Sequence, residues 1–175
     1  DFFVREIMPS LFPIITDDTK PFPFLKDKAS YLYLKLNEIK DRKKNKYALI
    51  EIPSRAISRF IIIPSKGDKH YVILLDDVIR YNTDLIFEVF GLRTVEAYNI
   101  KLTRDAELDI DNDVSKSMIE KMSKSLKARK QGQPVRFVYD AAMPNDMLRY
   151  IMSKLGMAKK DNAIPGGRYH NFKDF

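Results

Sequence analysis

The chain has 175 residues, the usual size of one domain, and 45% of them are hydrophobic, which excludes a wholly disordered protein. It has no cysteine, so disulfides, thiolate zinc sites, iron–sulfur clusters and a cysteine nucleophile are excluded. Its 31 basic and 24 acidic side chains give a net charge of +7, which favours anionic partners such as nucleic acid, phosphate polymers or acidic lipid.

The N-terminal part predicts a short helix, a proline-rich segment and a β-hairpin. Residues 1–8 are compatible with a helix that ends at Pro9, and further prolines force an irregular path as far as Leu25. Alternation over 31–37 predicts a half-buried strand, with its leucines on one face and its tyrosines on the other. A second strand over 47–52 follows a very polar connection, so the two are expected to form a hairpin with a basic tip.

The middle of the chain predicts two strands and a helix between them. A continuous apolar run over 71–75 predicts a central strand that is covered on both faces. Asp76 is placed to cap a helix over 76–90 that Gly91 ends. Its predicted core face comprises Val78, Tyr81, Leu85, Ile86 and Val89. Alternation over 94–104 predicts the second strand, with Tyr98, Ile100 and Leu102 inward and Asn99, Lys101 and Thr103 outward.

The C-terminal half predicts a helix over about 113–130, with an apolar stripe on one face and lysines on the other. A strand through Val135, Phe137 and Tyr139 follows, and then a helix over about 145–155 that Gly156 ends. We therefore predict an α+β fold: a mixed, largely antiparallel sheet of about five strands with helices packed mainly on one face.

The domain organisation follows from the even composition. No linker rich in proline or serine divides the chain, so residues 1–175 are predicted to form a single domain. Residues 1–28 and 159–175 are predicted to be partly connecting segments. The absence of an initiator methionine and the apolar residues near both ends favour a piece cut from a longer protein. The longest apolar stretches are far shorter than the ~20 residues that span a bilayer, so no transmembrane segment is predicted.

One local pattern imitates a calcium-binding loop. Carboxylate-rich residues 109–113 are followed by Glu120 at the twelfth position, as in such loops. The sixth position, which needs glycine for the sharp turn, is Val114, and Lys116 takes the apolar eighth position. Since Val114 also belongs to the stripe of the predicted helix, an acidic helix N-terminus is the favoured interpretation.

Two histidines and one glycine pair are the remaining candidates for local chemistry. His70 flanks a turn and is expected to be exposed. His170 lies between Arg168 and Lys173, where a phosphate-accepting imidazole is one interpretation and a structural histidine in an aromatic loop is the favoured one. The Gly166-Gly167 pair before Arg168 could form a backbone nest for an oxyanion. A turn is the favoured interpretation, because the spacing of a Walker phosphate-binding loop is absent.

Four basic residues are the predicted phosphate-contacting set, because they could converge on one anion: Lys101, Arg104, Arg136 and Arg168. Arginine engages phosphate oxygens two at a time, whereas the lysines of the 113–130 helix remain hydrated point charges on a solvated face. Asp105, Glu107 and Asp140 are equally placed to neutralise the arginines, so the two interpretations stay open. We predict no catalytic, cofactor-binding or metal-binding residue, because no complete set of nucleophile, base and oxyanion donors can be assembled.

Four ordered motifs then carry a resemblance to a known family. They are 75–81 (Leu-Asp-Asp-Val-Ile-Arg-Tyr), 100–107 (Ile-Lys-Leu-Thr-Arg-Asp-Ala-Glu), 134–139 (Pro-Val-Arg-Phe-Val-Tyr) and 164–175 (Ile-Pro-Gly-Gly-Arg-Tyr-His-Asn-Phe-Lys-Asp-Phe). Together they closely resemble the middle, or head, domain of bacterial polyphosphate kinases of the histidine-phosphorylated class. The likeness runs from Arg5 to the last residue.

The resemblance implies a parent enzyme, a phosphotransferase that moves the terminal phosphate of ATP onto polyphosphate with Mg²⁺ and a phosphohistidine. In that family the catalytic histidines and the adenine contact belong to other domains, so this chain is expected to hold no cofactor and His170 does not inherit the phosphohistidine role. Its implied partners are the flanking domains of the same chain, a second copy in a dimer, and polyphosphate, with no specific nucleic acid. The implied location is cytoplasmic, with a membrane-peripheral position of the parent as an option.

Three hypotheses for function follow. The first is a non-catalytic domain for dimer assembly, for positioning the flanking domains and for the wall of a polyphosphate tunnel. The second is a basic polyanion-binding module that acts independently of the kinase. The third is a phosphohistidine-directed enzyme that uses His170. The first is preferred, because no complete set of nucleophile, base and oxyanion donors can be assembled from the motifs of this chain.

Overall fold

The computed structural model describes residues 1–41, 45–64, 67–104, 134–157 and 162–170. Its strands are β1 (Ile14–Thr16), β2 (Ser30–Glu38), β3 (Asn45–Glu51), β4 (Phe60–Ile63), β5 (Tyr71–Leu74), β6 (Leu92–Arg104), β7 (Pro134–Asp140) and β8 (Ala163–Gly166). Its helices are α1 (Leu75–Tyr81), α2 (Thr83–Phe87) and α3 (Asn145–Lys154), with a π-helical turn at Phe3–Ile7 and 3₁₀ turns at Met8–Ser10 and Glu88–Phe90. The helix predicted over 113–130 and the calcium-loop pattern lie outside the described residues.

Six strands form one sheet in the order β1-β3-β2-β6-β7-β8, and β4 and β5 pair separately. Every pairing in the large sheet is antiparallel except that of β7 with β8. The predicted hairpin is present as β2 and β3, which pair from Tyr31 opposite Glu51 to Asn37 opposite Asn45. The predicted α+β class with a mixed, largely antiparallel sheet is confirmed, and the strand through Phe137 is β7.

The large sheet is buried on both faces. On one face the leucines of β2 pack against α1, α2 and the N-terminal turn, through residues such as Ile7, Ile79 and Phe87. On the other face Tyr31 and Tyr33 pack with residues of α3. Both tyrosines are at most 3% exposed, so the prediction of a half-buried strand was wrong. The α3 helix covers the face that carries the tyrosines. A period-two pattern with tyrosines on one side does not predict this second layer.

The predicted central strand over 71–75 was also wrong. The strand β5 pairs only with β4, and Tyr71 and Val72 are more than half exposed. Leu75 already begins α1. A short run of apolar residues fits a buried strand or an exposed hairpin equally well when periodicity is the only criterion. The strands in the middle of the sheet are β2 and β6.

The segment predicted as one helix over 76–90 is broken. Asn82 separates α1 from α2, and its side-chain amide donates to the Val78 carbonyl at 2.8 Å. Gly91 ends the segment in the left-handed conformation, with φ of 67°, as predicted. Asp76 is not the N-cap, because Leu74 occupies that position and the Asp76 side chain is fully buried inside α1.

The two end segments contribute to the body of the fold. Phe3, Ile7 and Leu11 are buried in the first core cluster, and Leu25 is buried in the second. Near the other end β8 extends the large sheet. No helix among the described residues is long and apolar enough to cross a membrane.

Candidate functional site

A buried polar cluster joins α1 to β6, beginning at Asp76. The Asp76 carboxylate accepts hydrogen bonds from Arg59 Nε at 3.3 Å and from Asn99 Nδ2 at 2.7 Å. All three residues are at most 7% exposed. Buried carboxylates require such donors, because an isolated charge in the core is very costly. The outward orientation predicted for Asn99 was therefore wrong: its side chain faces α1 and is fully buried.

The neighbouring carboxylate, Asp77, gathers three donors. Arg80 Nη1 donates to Asp77 Oδ1 at 3.1 Å, and Arg168 Nη2 donates to the same oxygen at 3.2 Å. The Tyr169 hydroxyl donates to Asp77 Oδ2 at 2.6 Å, which raises the pKa of Tyr169. Arg80 links the two halves of the cluster, since its Nη2 also donates to Asn99 Oδ1 at 2.7 Å.

His170 closes the cluster from the chain segment after β8. Its Nε2 lies 3.3 Å from the Asn99 carbonyl oxygen, and the residue is 7% exposed. Burial lowers the pKa of His170. A buried ring whose Nε2 faces a backbone carbonyl is poorly placed to accept a phosphoryl group, so the geometry disfavours the nucleophile hypothesis. His70 is exposed, as predicted.

Three of the four predicted basic residues share the face of the sheet that carries this cluster. Lys101 lies opposite Val138, and Arg136 lies opposite Thr103. Such diagonal neighbours are about 7–8 Å apart on one face of a sheet. Arg136 is exposed, and no carboxylate among the described residues forms an ion pair with it. Arg168 lies farther along this face over α1, where it is half exposed and bound to Asp77.

We call Lys101, Arg136 and Arg168 the basic face. The length of β7 indicates how far this face extends. Arg136 lies near one end of β7, and Asp140 at the other end pairs with Gly166, two residues before Arg168. Four residues of strand extend about 13 Å. The arrangement therefore suits an extended anion better than a single phosphate.

The fourth predicted residue, Arg104, lies apart from the basic face. A register shift between Thr103 and Arg104 breaks the alternation of β6. The Arg104 Nε donates to the Leu25 carbonyl at 3.1 Å, and its guanidinium carbon lies 4.2 Å from the centre of the Phe24 ring. Asp27 accepts from its backbone N–H at 2.8 Å. Arg104 thus holds the N-terminal segment against the sheet, and it is not brought together with the other three residues.

Asp140, one of the carboxylates expected to neutralise the arginines, is buried and accepts from the backbone N–H of Ala142 at 2.9 Å. The other two, Asp105 and Glu107, lie outside the described residues. In the part of the chain that the structure describes, no three acidic or histidine side chains are grouped so that they would hold a metal ion.

Known proteins similar to this chain show its family. A family model described as the polyphosphate kinase middle domain matches residues 1–175. This chain belongs to the polyphosphate kinase middle-domain family. It is 43% identical to a polyphosphate kinase of Vibrio vulnificus and 42% identical to one of Escherichia coli K12, in each case over 99% of this chain and 25% of the relative. The chain thus spans about a quarter of the length of these relatives.

A solved structure supports the same assignment at the level of the fold. The crystal structure of a polyphosphate kinase from Porphyromonas gingivalis matches 99% of this chain and 23% of its own, with a TM-score of 0.76 and 30% identity. The polyphosphate kinase middle-domain fold therefore carries the cluster and the basic face described above.

Sequence reasoning missed the polar cluster, although a signal for it was present. The motifs over 75–81 and 164–175, quoted for the family resemblance, meet in space through Asp77, Arg168 and Tyr169. Asn99, which bonds to Asp76 and Arg80 in the same cluster, directly precedes the motif over 100–107. Motifs that are distant in the chain and carry opposite charges are candidates for mutual contact, and this criterion would have paired them.

Proposed function

We propose that this chain serves as the non-catalytic middle domain of a polyphosphate kinase, in which its basic face lines the path of the polyphosphate chain. In this role it positions flanking domains and contributes to dimer assembly, while ATP and Mg²⁺ are handled by other parts of the parent enzyme. The observation that carries the proposal is the placement of Lys101, Arg136 and Arg168 on one face of the sheet.

Chemistry and spacing support a linear phosphate polymer as the ligand. Guanidinium groups bind phosphate oxygens through paired N–H donors, and a face that extends about 13 Å meets several phosphate units of one chain. Arg168 reaches over α1 and donates to Asp77, so this end of the basic face lies directly beside the buried cluster.

Exposed apolar side chains support the assembly role. Tyr81, Leu85 and Val89 are spaced by four residues along α1, α2 and the turn after them, and all are at least 45% exposed. Phe2 is 48% exposed near the N-terminus. Large apolar side chains exposed in this way are typical of surfaces that contact other proteins or domains.

Titration with long-chain inorganic polyphosphate at several salt concentrations tests the proposal. Arg136→Ala and Arg168→Ala are each expected to weaken binding and to lower the slope of log affinity against log salt by about 0.7, as for a contact to a single strand. Arg149→Ala is the matched control, because Arg149 is exposed on α3 over the opposite face of the sheet. Equal effects of all three variants would refute the proposal and favour a diffuse polyanion-binding module.

A further inference from the structure

The contacts of Asp77 divide its donors into a fixed set and an exchangeable one. Arg80 is 15% exposed and also bound to Asn99, so it is held in place from two sides. The Tyr169 hydroxyl makes the shortest contact, at 2.6 Å. Arg168, by contrast, is 55% exposed and reaches Asp77 through Nη2 at 3.2 Å. Of the three, Arg168 is the donor that solvent and a ligand can approach.

We infer that Asp77 competes with polyphosphate for Arg168, so that this carboxylate sets how tightly the basic face holds the polymer. The inference rests on the proposed function and deepens it. A phosphate that takes Arg168 leaves Asp77 with its bonds to Arg80 and Tyr169, so the carboxylate stays solvated by donors when the exchange occurs. The exchange replaces one charge-assisted hydrogen bond by another, which makes it readily reversible.

Moderate affinity is the consequence. A half-exposed ion pair is weak, so the need to break it lowers but does not abolish the binding of a competing anion. A polymer that must move past a surface has to leave each site it occupies. A carboxylate beside the arginine therefore favours passage over retention.

The test compares polyphosphate affinity in Asp77→Asn and Asp84→Asn. Both substitutions raise the net charge by one, and Asp84 also lies near an arginine, with Arg93 Nε 3.9 Å away. Asp77→Asn is expected to bind about two- to fivefold more tightly than Asp84→Asn, the range that corresponds to an exposed ion pair. In an Arg168→Ala background the gain from Asp77→Asn should disappear, as a double-mutant cycle requires.

Tyr169→Phe provides an independent variant in case Asp77→Asn does not fold. Loss of the hydroxyl leaves the carboxylate a stronger acceptor for Arg168, so polyphosphate binding should weaken by about twofold. Unchanged or tighter binding by Tyr169→Phe, or equal affinities of the two asparagine variants, would overturn the inference. A gain that persists without Arg168 would overturn it as well.

The two proposals fail in different ways. If Arg136→Ala and Arg168→Ala bind like Arg149→Ala, the proposed function falls and the inference falls with it. If those arginine variants weaken binding but Asp77→Asn matches Asp84→Asn, only the competition by Asp77 is wrong.

Discussion

At the scale of single residues, the buried pair of Asp76 and Arg59 is the strongest local constraint. Asp76→Ala removes the carboxylate from a guanidinium that is 7% exposed and from the Asn99 amide. Removing this buried acceptor from both donors is expected to lower the free energy of unfolding by about 3–5 kcal/mol, because hydrogen bonds to a charged group are worth about 1.5–3 kcal/mol each. Denaturant unfolding monitored by circular dichroism measures the loss.

Asp84→Ala is the control for that substitution. Asp84 is 59% exposed, forms a long ion pair and accepts from the Thr94 backbone N–H at 2.8 Å, so its loss should cost about 1–2 kcal/mol. Similar losses for the two variants would mean that the Asp76 pair adds nothing beyond a surface contact.

His170 makes stability depend on pH. Burial lowers the pKa of His170 in the folded chain, while the unfolded chain binds its proton near the usual value of about 6.5. Below about pH 6.5 the unfolded state therefore binds more protons than the folded state, so the free energy of unfolding falls as the pH falls. The contribution of the buried His170 to stability is fully present above that pH. Thermal melts between neutral pH and pH 5 should show this slope, and His170→Gln should reduce it.

His70→Gln serves as the comparison, because His70 is exposed. We expect this variant to keep the full pH dependence of the parent chain. If His170→Gln retains the same slope as His70→Gln, the buried histidine is not the group that titrates.

At the scale of elements, the two adjacent glycines at the end of β8 differ in the space around them. A Cβ on Gly166 would lie 3.0 Å from Val138 Cγ1 and 3.3 Å from His170 Cε1, whereas a Cβ on Gly167 would meet nothing within 4 Å. Gly166→Ala is expected to destabilise the fold by about 1–3 kcal/mol through overpacking. Gly167→Ala should be neutral or stabilising by up to about 1 kcal/mol, since it restricts the unfolded chain.

Chemical denaturation of both glycine variants decides the point. A loss for Gly167→Ala as large as that for Gly166→Ala would show that backbone conformation and not close packing explains the glycine pair.

The segment over 75–90 shows how helical spacing alone misplaces a core. Tyr81 and Val89 fit the predicted apolar stripe, yet they are 89% and 79% exposed, and Ile79 and Phe87 are buried instead. The segment is apolar on two sides, and the break at Asn82 rotates the second half relative to the first. Periodicity identifies such stripes but does not say which one meets the sheet.

Substitutions on the exposed stripe and on the buried stripe should differ in their effect on stability. Tyr81→Ser and Val89→Ser should each change the free energy of unfolding by no more than about 0.5 kcal/mol, because neither contributes to the core. Ile79→Ala, at a fully buried position, should cost about 2–5 kcal/mol. A large loss from Tyr81→Ser would place that side chain in the core after all.

The strands were more predictable than their environment. Alternation located β2, β3 and the interior of β6 because apolar side chains recur at every second position in each: the leucines of β2, Ala48 and Ile50 of β3, and Tyr98, Ile100 and Leu102 of β6. What alternation could not supply was the second layer: the tyrosines of β2 are buried by α3, which is more than 100 residues away in the chain. Burial on a second face is a tertiary property.

The candidate site was predictable in part for a similar reason. Lys101 and Arg136 lie on adjacent strands, and pairing of β6 with β7 brings them to one face. The register shift between Thr103 and Arg104 turns the Arg104 side chain away from this face, toward Leu25 and Phe24. Such a one-residue irregularity reverses a side chain's face, and no residue type in the sequence marks it.

At the scale of the whole molecule, net charge and local geometry lead to different expectations. A charge of +7 spread over the surface would attract any polyanion without choosing a place for it. The basic face instead concentrates two arginines and a lysine on the side of the sheet opposite α3. The central claim is that polyphosphate occupies this face.

Arginine footprinting tests that claim most directly. The chain is treated with phenylglyoxal with and without long-chain polyphosphate at low salt, and modification at each arginine is read by mass spectrometry. We predict that polyphosphate shields Arg136 and Arg168, while Arg149 on α3 reacts at an unchanged rate. Equal shielding of Arg149, or no shielding of Arg136 and Arg168 when the polymer is bound, would contradict the account.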